Sequence, residues 1–369
     1  MRTELAERFG IAHPIFGFTP SEHVAAAISR AGGLGVLGCV RFNDADELDA
    51  VLSWMDENTD GKPYGVDIVM PAKVPTEGTA VDLESMIPQH HRAFVERTLA
   101  ELGVPPLATG VDHAAGVLGW LHSVARSHVD VALGHRISLI ANALGSPPAD
   151  VIEQAHAEGV AVAALAGAVG HARAHLEHGV DLVIAQGYEA GGHTGEIASM
   201  VLVPEIVDAV GGQRVLAAGG IGSGGQIAAA LALGASGVWM GSYWLTTAEY
   251  KLGSAADGPS AIQRALLGAT SADTVRTRIY SGKPARLLRT KWTEAWAKPD
   301  APEPLPMPLQ NLLVSEAHQR IVASADPEVV AMPVGQIVGR MNEIRPVADV
   351  FADLLAEFDE AAGRIARAR

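Results

Sequence analysis

The stretch VLAAGGIGSGGQIAAALALGASGVWMGSYWL, residues 215–245, decides the fold class. A run of four small apolar residues leads into five glycines, a helical segment follows from Gln226, and Gly234 precedes a second apolar run. Continuous apolar runs are typical of parallel strands buried on both faces. A glycine just past a helical segment suits a left-handed helix end. The stretch therefore predicts a strand–helix–strand unit of parallel sheet with glycine-rich turns.

The same alternation of strand and helix recurs along the chain. Eight apolar runs are predicted to be strands: His13–Phe18, Leu34–Cys39, Tyr64–Met70, Ile137–Leu144, Val160–Ala166, Leu182–Gln186, Val215–Ala218 and Val238–Leu245. Helical patterns such as 44–58, 168–178 and 203–210 lie between them. Eight such units favour an α/β fold of the closed (β/α)8 TIM barrel type over a doubly wound sheet, which usually has about five or six strands.

Two stretches interrupt this repeat. We predict an insertion at 72–136, after the third strand, within a barrel that spans 1–247. The insertion has helical patterns around 91–102 and 112–127. Residues 248–333, which include the Pro-rich DAPEPLPMPLQ, are predicted to form a helical lid or subdomain. Residues 334–369 then provide a loop and the last barrel helix, where apolar residues recur at helical spacing from Val347 to Ala366.

Composition excludes several classes of protein. The chain has 369 residues, of which 48% are hydrophobic and 19% charged, as expected for a well-packed α/β core. No apolar run approaches the roughly 20 residues of a membrane span, and the start lacks a signal peptide, so a cytoplasmic protein is expected. A net charge of −15 disfavours nucleic acid as a partner. The single cysteine, Cys39, excludes an intramolecular disulfide and a Cys-based metal cage.

The loops after the predicted seventh and eighth strands form a candidate phosphate site. Gly219, Gly220 and Gly222 follow strand seven, and Gly241 and Ser242 follow strand eight. Glycine turns and a helix N-terminus present backbone N–H groups to an anion. TIM barrels commonly bind phosphate at these two loops. The alternative is that these glycines only form tight turns and bind no phosphate.

A dinucleotide fingerprint is the competing interpretation, because Gly220, Gly222 and Gly225 also fit G-x-G-x-x-G. The ribose-binding acid expected about 20 residues later is missing from the end of the next strand. The nearby Glu249 lies beyond that strand. A monophosphate therefore fits better than a dinucleotide.

Strand six ends in AQGYEAGGHTG, residues 185–195, where Gln186, Glu189 and His193 are concentrated. Gly191 and Gly192 let the backbone fold back so that His193 faces the barrel mouth. Histidine is the side chain best suited to exchange a proton near neutral pH. His193 is therefore the candidate acid/base, and Glu189 either orients it or caps a turn.

Other chemistry has weaker support. His171, His175 and His178 lie at helical spacing that could hold a metal, but an outer helix favours a solvated face. No HExxH, CxxC or G-x-S-x-G motif is present, so we predict neither a metal site nor a hydrolase nucleophile elbow.

These residues together resemble the nitronate monooxygenase family, formerly called 2-nitropropane dioxygenases. The resemblance is carried by EAGGHTG after strand six, AAGGIGSGGQIAAALALGASGV, MGS after strand eight, AGGLGVLG and PYGVDI. SGKPAR at 281–286 and Gly335-Gln336 resemble the family's extension and active-site loop. The order and spacing match over most of the chain.

The resemblance implies an FMN-binding barrel with no metal. The phosphate would be held around Gly219, Gly220, Gly222, Gly241 and Ser242, whereas Gln186 and Gly192 would lie beside the isoalloxazine and ribityl chain. The remaining cofactor-binding positions implied are Gly17, Asp67, Gly191 and Gln336. His193 would manage the substrate α-proton, FMN would take an electron from a nitronate, and O2 would complete its conversion to a carbonyl compound and nitrite.

Two positions depart from the family pattern. GFTP at 17–20 replaces an Ala-Pro-Met turn, so a Met that commonly lies against the flavin is missing. Asp67 replaces an Asn. An ionised Asp67 would disfavour an anionic flavin or nitronate unless it were paired; alternatively it is protonated, or it binds a ribityl hydroxyl or a donor from the insertion.

Three functions stay open at this point. The leading one is an FMN-dependent oxidase or monooxygenase that acts on nitronates with O2. The second is an NAD(P)H-dependent reductase of quinones or enoyl thioesters, and the third is a flavin-binding protein without turnover. All three predict a small-molecule partner and no nucleic acid or membrane partner, and a homodimer is the general expectation.

Overall fold

The computed structural model describes residues 1–70, 83–107, 122–252 and 258–368. Its strands are β1 (Ile15–Thr19), β2 (Leu34–Gly38), β3 (Tyr64–Asp67), β4 (Ile137–Asn142), β5 (Ala161–Ala166), β6 (Leu182–Gln186), β7 (Gly192–His193), β8 (Val215–Ala218), β9 (Gly237–Met240), β10 (Thr274–Thr277) and β11 (Ala285–Leu288). Eight of them close into a parallel barrel in the order β1-β2-β3-β4-β5-β6-β8-β9. Pairing of Ile15 with Val238 joins β1 to β9 and seals it. The predicted TIM barrel is confirmed.

Eight helices surround the barrel and five lie elsewhere in the described residues. They are α1 (Glu4–Arg8), α2 (Glu22–Arg30), α3 (Ala45–Asn58), α4 (Gln89–Glu101), α5 (His122–Leu133), α6 (Ala149–Ala157), α7 (Val169–Glu177), α8 (Ser199–Val210), α9 (Gly224–Ala232), α10 (Ala261–Leu267), α11 (Lys291–Trp296), α12 (Leu309–Ser324) and α13 (Val347–Arg367). Helix α13 packs against α9 and α2, which completes the outer ring.

Side-chain alternation along the strands separates an inner core from an outer one. Phe16, Leu34, Leu139, Ile184 and Trp239 are among the buried residues that fill the barrel interior. Residues on the opposite faces of the strands pack beneath the helices in two larger clusters. The barrel is therefore a packed core, and only its carboxyl end is open for a site.

Residues 83–107 and 274–333 fold together, and we call this unit the cap. The ring centroids of Phe94 in α4 and Trp296 in α11 are 4.8 Å apart. The Arg320 guanidinium of α12, nearly buried, contacts the Glu96 carboxylate at 2.9 Å and the Val104 carbonyl at 3.3 Å. The stretch after β3 and the stretch after β9 therefore share one hydrophobic core.

Several predicted boundaries differ from the observed ones. The predicted strand 238–245 ends at Met240, because Gly241 turns the chain into a 3-10 helix at Ser242–Thr246. Helix α8 begins four residues before the predicted start at Val203 and accommodates Pro204. The extension is not wholly helical, since it contains β10 and β11. The predicted helical pattern 112–127 lies partly outside the described residues, and α5 packs between α3 and α6.

Within those described ranges, the helices are all too short or too polar to cross a bilayer.

Candidate active site

The carboxyl ends of the barrel strands place Asp67 and Gln186 at the open mouth. A Cβ on Gly65 would lie 2.9 Å from Leu139 Cβ, inside the barrel. Because strand side chains alternate, Asp67, two residues later, faces the same interior. Gln186 ends β6 in phase with Leu182 and Ile184, which are interior residues. Both side chains therefore border the mouth.

His193 is held over this mouth by the cap. It lies in β7, which pairs antiparallel with β11, so that His193 stands opposite Ala285. Its Nε2 lies 2.6 Å from Ser281 Oγ. Ser281 is fully buried, and its Oγ also accepts the Lys283 backbone N–H at 3.3 Å. The candidate acid/base thus has a fixed hydroxyl partner from a segment about 90 residues away in the sequence.

Burial and a nearby cation keep His193 neutral. Burial of the imidazole is the main cause and the positive charge of Lys283 adds to it, and together they lower the pKa of His193 to about 4. At neutral pH the ring can therefore accept a proton but carries no charge. The ring is therefore in the form that can remove a proton from a bound carbon acid.

Arg286 ties the cap to the loop that carries His193. The guanidinium is 2% exposed and donates to the Tyr188 carbonyl at 3.2 and 3.0 Å and to Thr274 Oγ1 at 3.1 Å. It also lies over the Tyr188 ring, 4.5 Å from its centroid. Buried charge-assisted hydrogen bonds of this kind are costly to break. Arg286 therefore fixes the register that positions His193.

Glu189 caps a helix. Its carboxylate accepts the Ser199 N–H at 3.1 and 3.3 Å, at the first residue of α8. A negative charge at a helix N-terminus is favourable. Of the two roles left open by the sequence, the structure therefore supports the capping one.

The loops after β8 and β9 are adjacent, as the phosphate prediction requires. Gly219 and Gly220 both have positive φ, 96° and 69°. The Gly222 N–H already donates to Gln226 Oε1 at 2.9 Å. The N–H groups of Gly220 and Ser242, by contrast, have no acceptor among the described residues. The two loops therefore retain donors for a phosphate.

A second set of contacts joins three of the predicted residues. Ser242 Oγ accepts the Gly335 N–H at 2.9 Å, and the Gln336 N–H donates to the Glu189 carbonyl at 2.9 Å. A Cβ on Gly191 would lie 2.7 Å from the Gly335 nitrogen, so only glycine permits this approach. Gly191, Ser242 and Gln336 thus meet at one edge of the mouth.

Gly17 and Gly192 differ in their surroundings. A Cβ on Gly17 would point at Ile28 and Trp244, away from the mouth, so Gly17 offers the site only backbone. A Cβ on Gly192 would meet nothing within 4 Å. Gly192 therefore leaves open space beside His193.

Asp67 is buried without a partner among the described residues. It is 5% exposed, and burial raises its pKa to about 7. Among the described residues, the Asp67 carboxyl forms no hydrogen bond and no ion pair. Burial favours the protonated carboxyl over the ionised one, whereas a donor from residues 71–82 or 108–121 of the insertion would lie outside the described residues.

The sequence predicted a solvated face for the histidines of α7, and the structure differs from this prediction at His175. His175 is 4% exposed, with its Nδ1 2.8 Å from Ser146 Oγ and its Nε2 3.0 Å from the Leu165 carbonyl. Its packing against the barrel makes it a structural residue. No group of three His, Cys, Asp or Glu side chains in the described ranges is arranged to hold a metal ion.

Sequence analysis missed Ser281, Lys283 and Arg286 as parts of the site. The segment SGKPAR was noted for its family resemblance, but no role followed from it. The only usable signal was composition, because residues 274–291 contain six Lys or Arg and no Asp or Glu in an acidic chain. Pairing of β7 with β11 has no local sequence signature.

The chain is similar over its length to known proteins. The model of the nitronate monooxygenase family matches residues 1–357. A Mycobacterium tuberculosis protein, provisionally named a monooxygenase, is 48% identical over 378 residues, covering 99% of this chain and 98% of the relative. Nitroalkane oxidase from Streptomyces ansochromogenes is 28% identical with a TM-score of 0.80, covering 98% and 99% of the two chains. FabK from Thermotoga maritima is 27% identical with a TM-score of 0.73, covering 100% of each.

Proposed function

Because the chain belongs to the nitronate monooxygenase family, we propose that this oxidoreductase uses FMN and O2 to convert alkyl nitronates to a carbonyl compound and nitrite. The reaction balances when two nitronate anions and one O2 give two carbonyl compounds and two nitrite ions, so that each carbonyl carbon receives one oxygen atom. The observation that carries the proposal is the neutral His193, held over the open barrel mouth by Ser281.

FMN would be bound by the residues that border the mouth. The phosphate would accept N–H groups from the loops of Gly219, Gly220, Gly222, Gly241 and Ser242. A monophosphate suits two short glycine loops at adjacent strands. Gln186, Gly191 and Gly192 would lie along the ring and ribityl chain, with Gln336, Asp67 and the backbone of Gly17 at the edges. When bound, FMN supplies the electron transfer between the substrate and O2.

His193 would remove the α-proton when the substrate arrives as a neutral nitroalkane. The imidazole then becomes positively charged beside the nitronate anion that it has formed, and this pairing favours the transfer. With Nε2–H donating to Ser281 Oγ, the α-proton would be accepted at Nδ1 of the same ring. Ser281 therefore keeps its hydrogen bond to His193 before and after the proton transfer.

The second candidate function is an NAD(P)H-dependent reductase of quinones or enoyl thioesters. It is favoured by Arg278 and Lys283, which are exposed on the cap near His193 and form no ion pair with a described acidic residue. Such cations would attract a phosphate-bearing reductant. A flavin-binding protein without turnover is the third candidate.

Anaerobic stopped-flow spectroscopy separates these candidates. The purified flavoprotein is mixed in turn with propyl-2-nitronate, NADH and NADPH. Flavin reduction by the nitronate alone supports the proposed function, whereas rapid bleaching by a nicotinamide replaces it with the reductase. A flavin that none of the three reduces supports the non-catalytic alternative.

The role of His193 is tested with His193→Asn. We expect the variant to bind FMN and to oxidise preformed nitronates, but to lose about 100-fold in kcat/KM for neutral nitroalkanes. His178→Asn is the matched control, because His178 is exposed at the end of α7. Unchanged nitroalkane turnover in His193→Asn would remove the acid/base role.

A further inference from the structure

We propose that the Asp67 carboxyl donates a hydrogen bond to the ring system of the bound flavin and thereby couples flavin binding to a proton. The inference rests on the proposed FMN cofactor and extends it to a residue at the opposite side of the mouth. It makes Asp67 a proton-carrying residue of the site, in addition to His193.

The position of Asp67 in the barrel places it at the ring end of the cofactor. In the closed strand order, β3 lies four strands from β8 in either direction, which puts the two strands on opposite sides of the barrel. The candidate phosphate site follows β8 and the neighbouring β9. An FMN with its phosphate held there would have its ring between these two sides of the mouth, where Asp67 faces the interior.

The neighbouring strand β2 offers no charge that would hold Asp67 as a carboxylate. Gly38 lies opposite Asp67, and the following Cys39 thiol has its pKa raised by burial and by Asp67 itself, so the thiol is neutral. Arg41 is the cation in this turn, and it is paired with Glu22 of α2 at 2.6 Å.

The strand on the other side, β4, is neutral as well. Asn142 follows the residue that pairs with Asp67, and its amide is used by the Met70 backbone and the Gly145 carbonyl. Across the mouth stand Gln186 and His193, of which the first is uncharged and the second is neutral at pH 7. An isolated buried carboxyl keeps its proton because ionisation without solvent or a cation is costly.

Flavin binding strengthens this preference. A ring lying over Asp67 excludes water from the carboxyl and raises its pKa above the value of about 7 in the free protein. A group with a higher pKa in the complex than in the free protein makes binding tightest at low pH. Above the pKa of the free protein, affinity falls about tenfold per pH unit until the complex also ionises.

The test is the dissociation constant of FMN, measured by flavin fluorescence from acidic to alkaline pH in the wild-type protein and in Asp67→Asn. The wild type should lose about tenfold or more in affinity across neutral pH, relative to the variant. Asp67→Asn is nearly isosteric and leaves the phosphate ionisation near pH 6 unchanged. That ionisation therefore cancels in the ratio of the two proteins.

The outcomes separate the two proposals. If both proteins bind FMN with the same pH dependence, the role of Asp67 is overturned while the cofactor stands. If neither protein binds FMN at any pH, the cofactor proposal fails and this one with it. If Asp67→Asn does not fold, infrared difference spectra of wild-type holoprotein decide: a protonated carboxyl band at neutral pH that disappears at alkaline pH supports the proposal, and its absence overturns it.

Discussion

His193 and Asp67 stand on two sides of the same barrel mouth, and burial acts on them in opposite directions. It lowers the pKa of the histidine to about 4 and raises that of the aspartic acid to about 7. Burial disfavours the charged form of each group. Both are therefore driven toward neutrality, and the mouth carries less charge than its residue types suggest.

The two sides differ in how they are built. Asp67 is fixed by the pairing of β3 with β2 and β4, which are barrel strands close in the sequence. His193 depends on β11 and Ser281 of the cap. Substitutions in the cap should therefore leave the cofactor contacts made by the barrel intact, but they should impair proton transfer by His193.

The largest effect is expected for Arg286→Ala. Losing the guanidinium leaves the Tyr188 carbonyl and Thr274 hydroxyl unpaired and releases β7 from its position. We expect the free energy of unfolding to fall by about 2–4 kcal/mol and nitroalkane turnover to fall about 100-fold. Urea unfolding and steady-state kinetics measure the two. Arg289→Ala, an exposed position after β11, is the control, and equal losses in both variants would contradict the interpretation.

Gly192→Val should have the next largest effect. Gly192 has φ 75° and open space at its Cβ, so the cost is backbone strain of about 1–2 kcal/mol. Relief of that strain would displace His193, and we expect about a tenfold loss in kcat. Gly258→Val is the matched control, since Gly258 has φ 104° and open space in a loop outside the site. The free energy of unfolding should fall similarly in Gly192→Val and Gly258→Val, whereas kcat should fall only in Gly192→Val.

Ser281→Ala tests the hydroxyl partner alone. We expect a loss of several-fold to tenfold in kcat/KM for neutral nitroalkanes, corresponding to one hydrogen bond of about 1 kcal/mol. Turnover of preformed nitronates should change less, because they need no α-proton transfer. Ser146→Ala removes the Ser–His contact at His175, which lies outside the site, and should leave both activities unchanged. If Ser281→Ala and Ser146→Ala had the same activities on nitroalkanes and nitronates, a role for Ser281 in proton transfer would be contradicted.

The smallest effect is expected for Lys283→Ala and concerns pH. The charge of Lys283 opposes protonation of His193, so its removal should raise the pKa of the histidine. Activity that needs neutral His193 is constant near neutral pH and is lost as the pH falls through the pKa. The acidic limb of kcat/KM, expected near pH 4 in the wild type from the pKa of His193, should therefore move to higher pH in the variant. Lys291→Ala serves as the control, and an unmoved limb would show that the charge of Lys283 is screened.

Much of the barrel could be predicted because its signals are local. Apolar runs bounded by glycine located all eight barrel strands, and the adjacency of the loops after β8 and β9 followed from the fold. The strand β7 could not be predicted, since two residues form it only by pairing with β11. The role of Glu189 was undecided for the same reason: its partner, the N–H of Ser199, becomes a helix terminus only in the folded chain.

The sequence by itself determined the barrel, the glycine turns at its mouth and the presence of His193 after the sixth strand. Periodicity and backbone freedom are properties of neighbouring residues, so they are written along the chain. Only the tertiary structure decided which side chains meet His193, why it is neutral, and that Asp67 has no partner among the described residues. These properties depend on burial and on contacts between segments far apart in sequence, such as His193 with Ser281 and Arg320 with Glu96.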